Sequence, residues 1–400
     1  MQQQRKPANL FRFSGPGLQC RLLGWLLIWL ALPAAAQQPA LQGLEFVNSI
    51  GLAAPTAGSA GQAAAPNGPE RVVLAVGNSR PAVRIQLQLP GTTDSVTIRA
   101  VASHAGLGTA TKTVAGAAGR RTVELTFGAA AGAAAIEAAD LVLRWESKAG
   151  AGAWTTFATT RHRLYWVLGG PGSPWAGLRE AEGGAALWAA TLEVSCRAAA
   201  GARTAEQAAS AVTRYVYGSR VGEGGDTKFQ YNPMLPDANL THLDAATARY
   251  VVRTEELQAL LQSLNNPAMT HLQLNCYDAA GCVVMLSNAL GCQLRRVKVN
   301  SAYYLVTRKL VPMGFTKPAK ADFRVHCVAW SGPLDERGLV YDACFALPPA
   351  ATAAPDTPLA ALPFGSSHQP GSYAEQVFTN KEEFYLTPLP ALVIRKQATP

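Results

Sequence analysis

The chain has 400 residues, of which 48% are hydrophobic and 15% are charged, a composition that excludes an intrinsically disordered protein. Its formal net charge is +9, and the first 36 residues hold four basic residues and no acid, so the remainder carries about +5. This mild basicity predicts solubility and some attraction to anionic surfaces, and it argues against a nucleic-acid-binding protein. The length predicts two domains or one large one.

Residues 1–36 have the order of a secretory signal peptide. Four basic residues precede an apolar run at 22–32, and Ala34-Ala35-Ala36 then provides a small-residue cleavage site. The run is short for a membrane span, although an uncleaved anchor is the alternative. We therefore expect a secreted or periplasmic protein, and the Gly, Ala and Pro content suggests a bacterial one.

Residues 37–69 are rich in Ala, Gly, Gln and Pro and predict a flexible leader. From 70 to 168, short segments alternate apolar and polar residues, which predicts an N-terminal antiparallel β-sandwich that acts as a spacer or a binding module. The predicted strands are 72–76, 82–89, 96–102, 122–127, 141–145 and 154–166. A Gly- and Pro-rich hinge at 169–175 ends this domain.

After the hinge the pattern becomes helical. One helix is predicted around Trp188, a second opens with the capping box of Thr204 and Gln207, and a third begins near Thr254. The loop at 220–238 is either a surface connection or a substrate-binding lid. Strands are predicted at 294–299, 302–306, 323–330 and 339–347. The tail, 349–400, is predicted to be loop-rich, with a last strand at 391–395.

A mostly apolar helix is predicted to begin at Cys276. Asn275 suits the N-cap, Asp278 places an anion in the first turn, and Gly291 suits the C-terminal cap. At a helix N-terminus, unpaired backbone N–H groups and the helix dipole favour a thiolate over a thiol. Cys276 therefore has the local environment of a nucleophile.

His326 lies on one of the later predicted strands and Asp342 on the next. A thiol nucleophile needs a base to deprotonate it, and an imidazole base needs a carboxylate to fix its tautomer. Neighbouring antiparallel strands can place these two residues as a facing pair. Each residue alone is more often structural, but their order and spacing together predict a Cys-His-Asp site.

The sequence CYDAA at Cys276, the ALG at the end of the same helix, and the His and Asp strands resemble the transglutaminase-like branch of the papain-like cysteine enzymes. The resemblance covers about 187–347 and implies an α+β fold, with Cys276 as nucleophile, His326 as general base and acid, and Asp342 as orienting carboxylate. It implies no metal and no organic cofactor. Leu274 replaces a common glycine, and three residues separate His326 from Trp330, which departs from the usual pattern.

The oxyanion donors expected from the site are the backbone N–H of Cys276 and the side chain of Gln273. The expected reaction is attack of Cys276 on a glutamine carboxamide or a peptide amide, giving cross-linking or deamidation. The alternatives are a cysteine peptidase or amidase with the same triad, and a non-catalytic cell-envelope binding protein on the same scaffold. The partners are then a protein or peptide substrate, and an anionic envelope surface for the basic stretch at 295–324, which is otherwise a solvated sheet face.

Six cysteines follow residue 36, at positions 196, 276, 282, 292, 327 and 344. Export to an oxidising compartment predicts disulfides. If Cys276 is free, at most two disulfides form among the other five and one thiol remains. Cys276 and Cys282 are not expected to pair, because six residues of helix rise about 9 Å.

Overall fold

The computed structural model describes residues 38–47, 49–50, 70–77, 80–90, 95–128, 133–178, 184–218, 227–235, 238–266, 272–348, 357–379 and 383–394. The predicted signal peptide and most of the predicted leader lie outside these residues. Helices and several separate sheets alternate along the chain, which is an α+β arrangement as predicted. The described residues belong to one compact unit.

Eight strands precede the first helix. They are β1 Ala40–Phe46, β2 Glu70–Ala75, β3 Ala82–Leu89, β4 Ser95–Ala102, β5 Thr109–Ala115, β6 Gly119–Thr126, β7 Glu137–Ala149 and β8 Thr155–Val167. They form a three-stranded sheet in the order β1-β3-β6 and a five-stranded sheet in the order β2-β8-β7-β4-β5. We call these two sheets the N-terminal sheets.

Two expectations about this region are wrong. Residues 40–46 do not belong to a flexible leader, because β1 pairs with β3 and Phe46 is buried. The strands are also not all antiparallel, because β2 and β8 run parallel from Glu70↔His162 to Ala75↔Val167. Local alternation indicates a strand but not its partner's direction, which is set by the connections between strands.

The inward residues of both N-terminal sheets form one apolar cluster. In β3 the alternation predicted from sequence is seen directly, since Ile85, Leu87 and Leu89 are buried while Gln86 and Gln88 are exposed. Period-two alternation puts successive side chains on opposite faces of a strand. Both sheets therefore contribute their apolar faces to the same core cluster.

Three helices contribute to a second apolar core, which is formed by residues that follow the N-terminal sheets in the chain. They are α1 Gly184–Ala198, α2 Ala205–Gly218 and α3 Thr254–Asn265. Half of the predicted capping box is present at α2, where Gln207 N donates to Thr204 Oγ1. The Gln207 side chain accepts from the backbone N–H of Arg203 and not from that of Thr204. Between α2 and α3 lie the short strands β9 Phe229–Tyr231, β10 Thr241–Asp244 and β11 Arg249–Val252. Phe229 and Tyr231 are buried in β9, whereas Met234 is 85% exposed, so the described part of 220–238 combines a buried strand with a surface connection.

The helix predicted at Cys276 is α4 Cys276–Ala289, preceded by β12 Leu272–Leu274. Asn275 is its N-cap, and a reciprocal capping box joins Asp278 N to Asn275 Oδ1 (3.1 Å) and Asn275 N to Asp278 Oδ2 (3.4 Å). Every residue of α4 except Tyr277 is buried, because α1 and α2 pack against it as well as the following sheet. A helix that is apolar all round is a core helix.

Gly291 ends this helix region with φ of +92°, a backbone conformation that favours glycine. A Cβ at this position would lie 2.9 Å from the backbone nitrogen of Gly169. The segment predicted as a hinge is held here, since Leu168 N donates to Leu290 O (3.0 Å) and Gly172 N donates to Asn288 O (2.9 Å). It is a docked connection in place of the free hinge expected from its Gly and Pro content.

The main sheet follows α4. Its strands are β13 Arg295–Val306, β14 Val311–Pro312, β15 Asp322–Ser331 and β16 Leu339–Leu347. With β18 Phe384–Pro388 the sheet has the order β14-β16-β15-β13-β18, and β17 Thr357–Pro363 pairs with β16. The two segments predicted at 294–306 are one strand, whose register shifts between Asn300 and Leu305.

The tail is not loop-rich where it is described. Besides β17 and β18 it contains α5 Tyr373–Val377 and β19 Leu392–Ile394, and β19 confirms the last predicted strand by pairing parallel to β11. Tyr373, Phe378 and Phe364 of this tail are buried in the same core as α4. Short segments of this kind give weak periodicity, and their strands depend on partners distant in sequence.

No helix within the described residues is both long enough and apolar enough to cross a membrane.

Candidate active site

His326 and Asp342 form a buried pair at the centre of the main sheet. His326 Nε2 lies 2.9 Å from Asp342 Oδ2, and the two side chains are 0% and 1% exposed. β15 and β16 pair antiparallel up to Ala329↔Tyr341. Continued by one residue, this register places Asp342 opposite Val328, so His326 meets Asp342 diagonally and not as the directly facing pair expected from sequence.

Asp342 has hydrogen-bond donors at both carboxylate oxygens. Oδ1 accepts from Cys344 N (2.8 Å), and Oδ2 accepts from the hydroxyl of Tyr373 (2.8 Å) as well as from His326. Burial would raise the pKa of Asp342, but the positive charge of His326 and these hydrogen bonds hold it below its ordinary value. Asp342 is therefore held as a carboxylate, which a buried acid requires if it is to orient an imidazole.

Sequence reasoning did not find Tyr373. It lies in α5, capped by the hydroxyl of Ser372, within the tail that was predicted to be loop-rich. The side chain of Tyr373 is an uncharged and fully buried phenol, and it lies 31 residues beyond Asp342. Tyr373 belongs to no recognisable catalytic motif. The only signal in the sequence is a Ser-x-x-Glu cap before an aromatic residue, which predicts a helix start but not a contact with the site.

Cys276 opens α4 beside this pair. Its side chain is 8% exposed, and its charge acts on the imidazole of His326. Burial alone would lower the pKa of His326, but Asp342, and to a smaller extent Cys276, raise it to about 10. His326 Nδ1 is buried and has no hydrogen-bond partner among the described residues, so it is the ring nitrogen left for proton exchange.

Aromatic rings enclose the imidazole. The centroids of Phe323 and Phe345 both lie 5.5 Å from that of His326, and the Phe323 ring is stacked on it at 23°. Tyr231 closes the group, 5.1 Å from Phe345 and 6.5 Å from Phe323. These rings keep water away from the His326–Asp342 pair, and a dry surrounding strengthens the interaction between opposite charges.

Gln273 is near the site in sequence, but its side chain is exposed and its Oε1 accepts from Asn232 Nδ2 (2.8 Å). Asn239 Nδ2 donates to the backbone oxygen of Gln273 (3.0 Å). Among the described contacts the Gln273 side chain meets none of Cys276, His326 and Asp342. Its role as an oxyanion donor stays a prediction.

The expected disulfides are wrong for this structure. The cysteines at 196, 276, 282, 292, 327 and 344 are all free and buried. They belong to the apolar core, where cysteine acts as a small hydrophobic residue. Burial, together with nearby charges, raises the pKa of Cys327 and of Cys344 well above that of an ordinary thiol, so these two neighbours of the site are held protonated.

The donor atoms of His326, Asp342 and Cys344 lie within 4.8 Å of one another, which is a spacing that metal ligands share. The donors are already used within the protein, because both oxygens of Asp342 accept hydrogen bonds and Nε2 of His326 is bound to one of them. A metal ligand would also require Cys344 to lose its proton, which its raised pKa opposes. The geometry fits a hydrogen-bonded dyad better than a metal centre.

No protein-family model matches the sequence, and no curated protein matches it. The structure of red sea bream transglutaminase resembles it with a TM-score of 0.36 and 12% identity, over 68% of this chain and 49% of that one. The YadV chaperone gives a TM-score of 0.17 and 14% identity, over 26% of this chain and 53% of that one. The chain thus spans about half the length of each. Both scores are too low for a shared fold to be concluded, and the functional proposal rests on the residues of the site.

Proposed function

We propose that this chain is a transglutaminase-like thiol enzyme in which Cys276 is the nucleophile, His326 the general base and acid, and Asp342 the orienting carboxylate. The observation that carries the proposal is the buried His326–Asp342 pair, whose remaining ring nitrogen is unpartnered beside a cysteine at a helix N-terminus. This is the arrangement of nucleophile, base and orienting group that acyl transfer requires.

In the proposed reaction, His326 Nδ1 takes the proton of the Cys276 thiol, and Sγ attacks the carbonyl carbon of a glutamine carboxamide or peptide amide. His326 Nδ1 gives a proton to the departing nitrogen, so that ammonia or an amine leaves and a thioester remains. The same nitrogen then takes a proton from an incoming amine or water, which attacks the thioester and restores the thiol. The backbone N–H of Cys276 at the start of α4 is the proposed donor to the negative oxygen, since the capping box already uses the N–H of Asp278.

An incoming amine makes the protein a cross-linking enzyme, and water makes it a deamidase, a peptidase or an amidase. These outcomes share one triad and differ in which nucleophile reaches the thioester. The third reading, a non-catalytic binding protein for the cell envelope, keeps the fold but gives Cys276 no reaction. We further propose that 70–168 is a β-sandwich domain, that 176–348 is the catalytic domain, and that the protein is exported.

Alkylation of the folded protein with iodoacetamide across pH, with peptide mapping, tests the proposal. We expect selective reaction at Cys276, and a much slower reaction in the His326→Ala variant because the proton acceptor is gone. Cys344→Ser is the matched control, since Cys344 is buried beside the same carboxylate and its thiol is not the proposed nucleophile. An unreactive Cys276 in the wild-type protein would leave the binding-protein reading in its place.

If Cys276 is reactive, ammonia release from a glutamine peptide separates the reaction classes. Release that is accompanied by incorporation of a labelled amine indicates a transferase. Release without incorporation indicates a deamidase, and cleavage of the peptide backbone indicates a peptidase. The Cys276→Ala variant is expected to lose all three signals while keeping its melting temperature, because the side chain is small and partly replaced by alanine.

A further inference from the structure

Two cations near the first turn of α4 are not used by the proposed reaction. Arg296 and Lys298 lie two residues apart on β13, so their side chains share one face of the strand. The guanidinium carbon of Arg296 lies 4.4 Å from the ring centroid of Tyr250, and Lys298 Nζ lies 6.0 Å from that of Tyr277. The two tyrosine rings are stacked at 21° with centroids 6.5 Å apart. Tyr277 is the residue next to Cys276.

Arg296 is unusual because its charge is buried without hydrogen bonds. The side chain is 2% exposed, and its three guanidinium nitrogens have no partner among the described residues. Its polar surroundings are therefore the π face of Tyr250 and the charges of more distant groups. A buried cation without hydrogen bonds is costly, and replacing it by an apolar residue is often neutral or stabilising. Folding stability therefore does not explain why an arginine occupies this position.

The acid nearest to this cation group does not pair with it. Asp278 is fully buried, and its carboxylate accepts from the backbone N–H groups of Asn239 (2.9 Å), Leu240 (2.8 Å) and Asn275 (3.4 Å). Its charge acts on Arg296, but no hydrogen bond or ion pair joins the two. Neither Arg296 nor Lys298 has an ion-pair partner among the described residues, so no direct contact neutralises their positive charges.

These charges act at the place where the nucleophile lies. Burial raises the pKa of Cys327, the charge of Cys276 raises it further, and Arg296 and Lys298 act in the opposite direction. Cys327 therefore lies within the electrostatic reach of all three groups. Lys298 pairs with Cys327 on one side of β13 and with Thr387 on the other, and it is partly exposed. A substrate group that approaches Cys276 meets this charge.

We propose that Lys298, backed by the buried charge of Arg296, forms an anion subsite beside Cys276, and that the substrate is an acidic peptide with a carboxylate close to the amide that is attacked. This inference rests on the proposed function and names its substrate class. Lys298 contacts the carboxylate. Arg296 acts through the local potential, because it is buried, and is a positioning residue.

Two alkylating reagents of similar size separate this subsite from nucleophilicity. Iodoacetate is an anion at neutral pH, and iodoacetamide is neutral, so the ratio of their rates at Cys276 measures attraction of an anion to the site. We expect this ratio to be high in the wild-type protein and to fall as ionic strength rises, since salt screens charges over about 10 Å at 0.1 M. Peptide mapping restricts the measurement to Cys276.

In Lys298→Gln and in Arg296→Met we expect the ratio to fall at least about threefold, because a charged site raises the local concentration of an opposite ion by this much or more. The iodoacetamide rate of the same variant corrects for any change in the nucleophilicity of Cys276. Lys298→Arg should keep the ratio. Lys112→Gln, on β5 of the five-stranded sheet, removes the same charge elsewhere and should also keep it. Arg296→Met should not lower the melting temperature, which distinguishes a positioning charge from a structural one.

A ratio that is the same in the wild-type protein and in both variants, with normal iodoacetamide reaction, would overturn the anion subsite and leave the proposed thiol enzyme standing. A Cys276 that reacts with neither reagent would overturn the proposed function, and the subsite with it. If Cys276 reacts as expected, acidic and neutral glutamine peptides of matched length should then differ in kcat/KM in the wild-type protein and differ less in Lys298→Gln.

Discussion

Two buried carboxylates, one in each half of the described chain, show how differently the same group is used. Glu146 in the N-terminal sheets and Asp342 in the main sheet are 6% and 1% exposed, and charged neighbours hold the pKa of each below its ordinary value against the effect of burial. The partners of Glu146 are Arg99 and Arg144, whose side chains are 29% and 55% exposed. The partners of Asp342 are buried with it.

This difference separates a structural charge from a functional one. Arg99 and Arg144 keep contact with water, which screens their attraction to Glu146, and the burial of Glu146 opposes that attraction, so the ion pair stabilises little. The His326–Asp342 pair is fully removed from water, and it forms only because several donors converge on one carboxylate. A stable fold does not require a buried ion pair of this kind, and the presence of the pair beside a helix N-terminus distinguishes the site.

The largest expected effect is that of Asp342→Asn. The change removes the negative charge that accompanies buried His326, and losing one partner of a buried ion pair costs about 3–5 kcal/mol. The free energy of unfolding from urea denaturation should fall by that amount, and alkylation of Cys276 should slow because the imidazole loses its orientation. The matched variant is Glu146→Gln. An equal loss of unfolding free energy in both variants would mean that the two carboxylates contribute alike to stability.

The second largest effect should be the pH dependence of the unfolding free energy that arises from the His326–Asp342 pair. The pKa of His326 is raised from 6.5 to about 10, so its contribution to stability is complete below pH 6.5 and is lost as the pH rises toward 10. The pKa of Asp342 is lowered from 3.8, so its contribution is present above that pH and is lost as the pH falls. The wild-type protein should therefore lose about 1.4 kcal/mol per pH unit above pH 6.5 from this pair.

Urea denaturation at pH 6, 8 and 9 measures this slope. The His326→Gln variant lacks the titrating imidazole, so the difference in unfolding free energy between it and the wild-type protein should shrink with rising pH. A difference that is constant over this range would mean that His326 is neutral in the folded protein, and the ion-pair description would be wrong.

Tyr373→Phe should have an intermediate effect. It removes one of the two donors to Oδ2 of Asp342 while keeping the ring in the core, and a hydrogen bond to a charged group contributes about 1.5–3 kcal/mol. We expect a lower melting temperature and a modest slowing of Cys276 alkylation. Tyr385→Phe is the control, since Tyr385 is 53% exposed. If the two variants were equally stable, the Tyr373 hydroxyl would not matter to the carboxylate.

The smallest effect is expected for Glu146→Gln. Because the arginine partners of Glu146 are partly exposed, the free energy of unfolding should fall by about 0.5–1 kcal/mol. Alkylation of Cys276 should be unchanged. The loss should also decrease at high salt, whereas that of Asp342→Asn should not, since buried pairs are screened much less. Denaturation at 0.05 and 0.5 M NaCl tests both statements.

The sequence by itself determined the local features of this protein. The capping residues Asn275 and Asp278 fixed where α4 begins, and with it the place of Cys276, because a helix start depends on residues within one turn. Alternation marked β3, and the His and Asp strands were placed nearly to their observed ends. Each of these signals is carried by neighbouring residues.

Only the tertiary structure decided what depends on distant contacts. The pairing of β1 with β3, the parallel direction of β2, and the docking of the tail each join segments far apart in sequence. Tyr373 reaches Asp342 for the same reason, and Arg296 is recognised as an unpartnered cation only once its surroundings are known. Periodicity describes which face of an element is apolar, but the partner that covers that face is selected by packing of the whole chain.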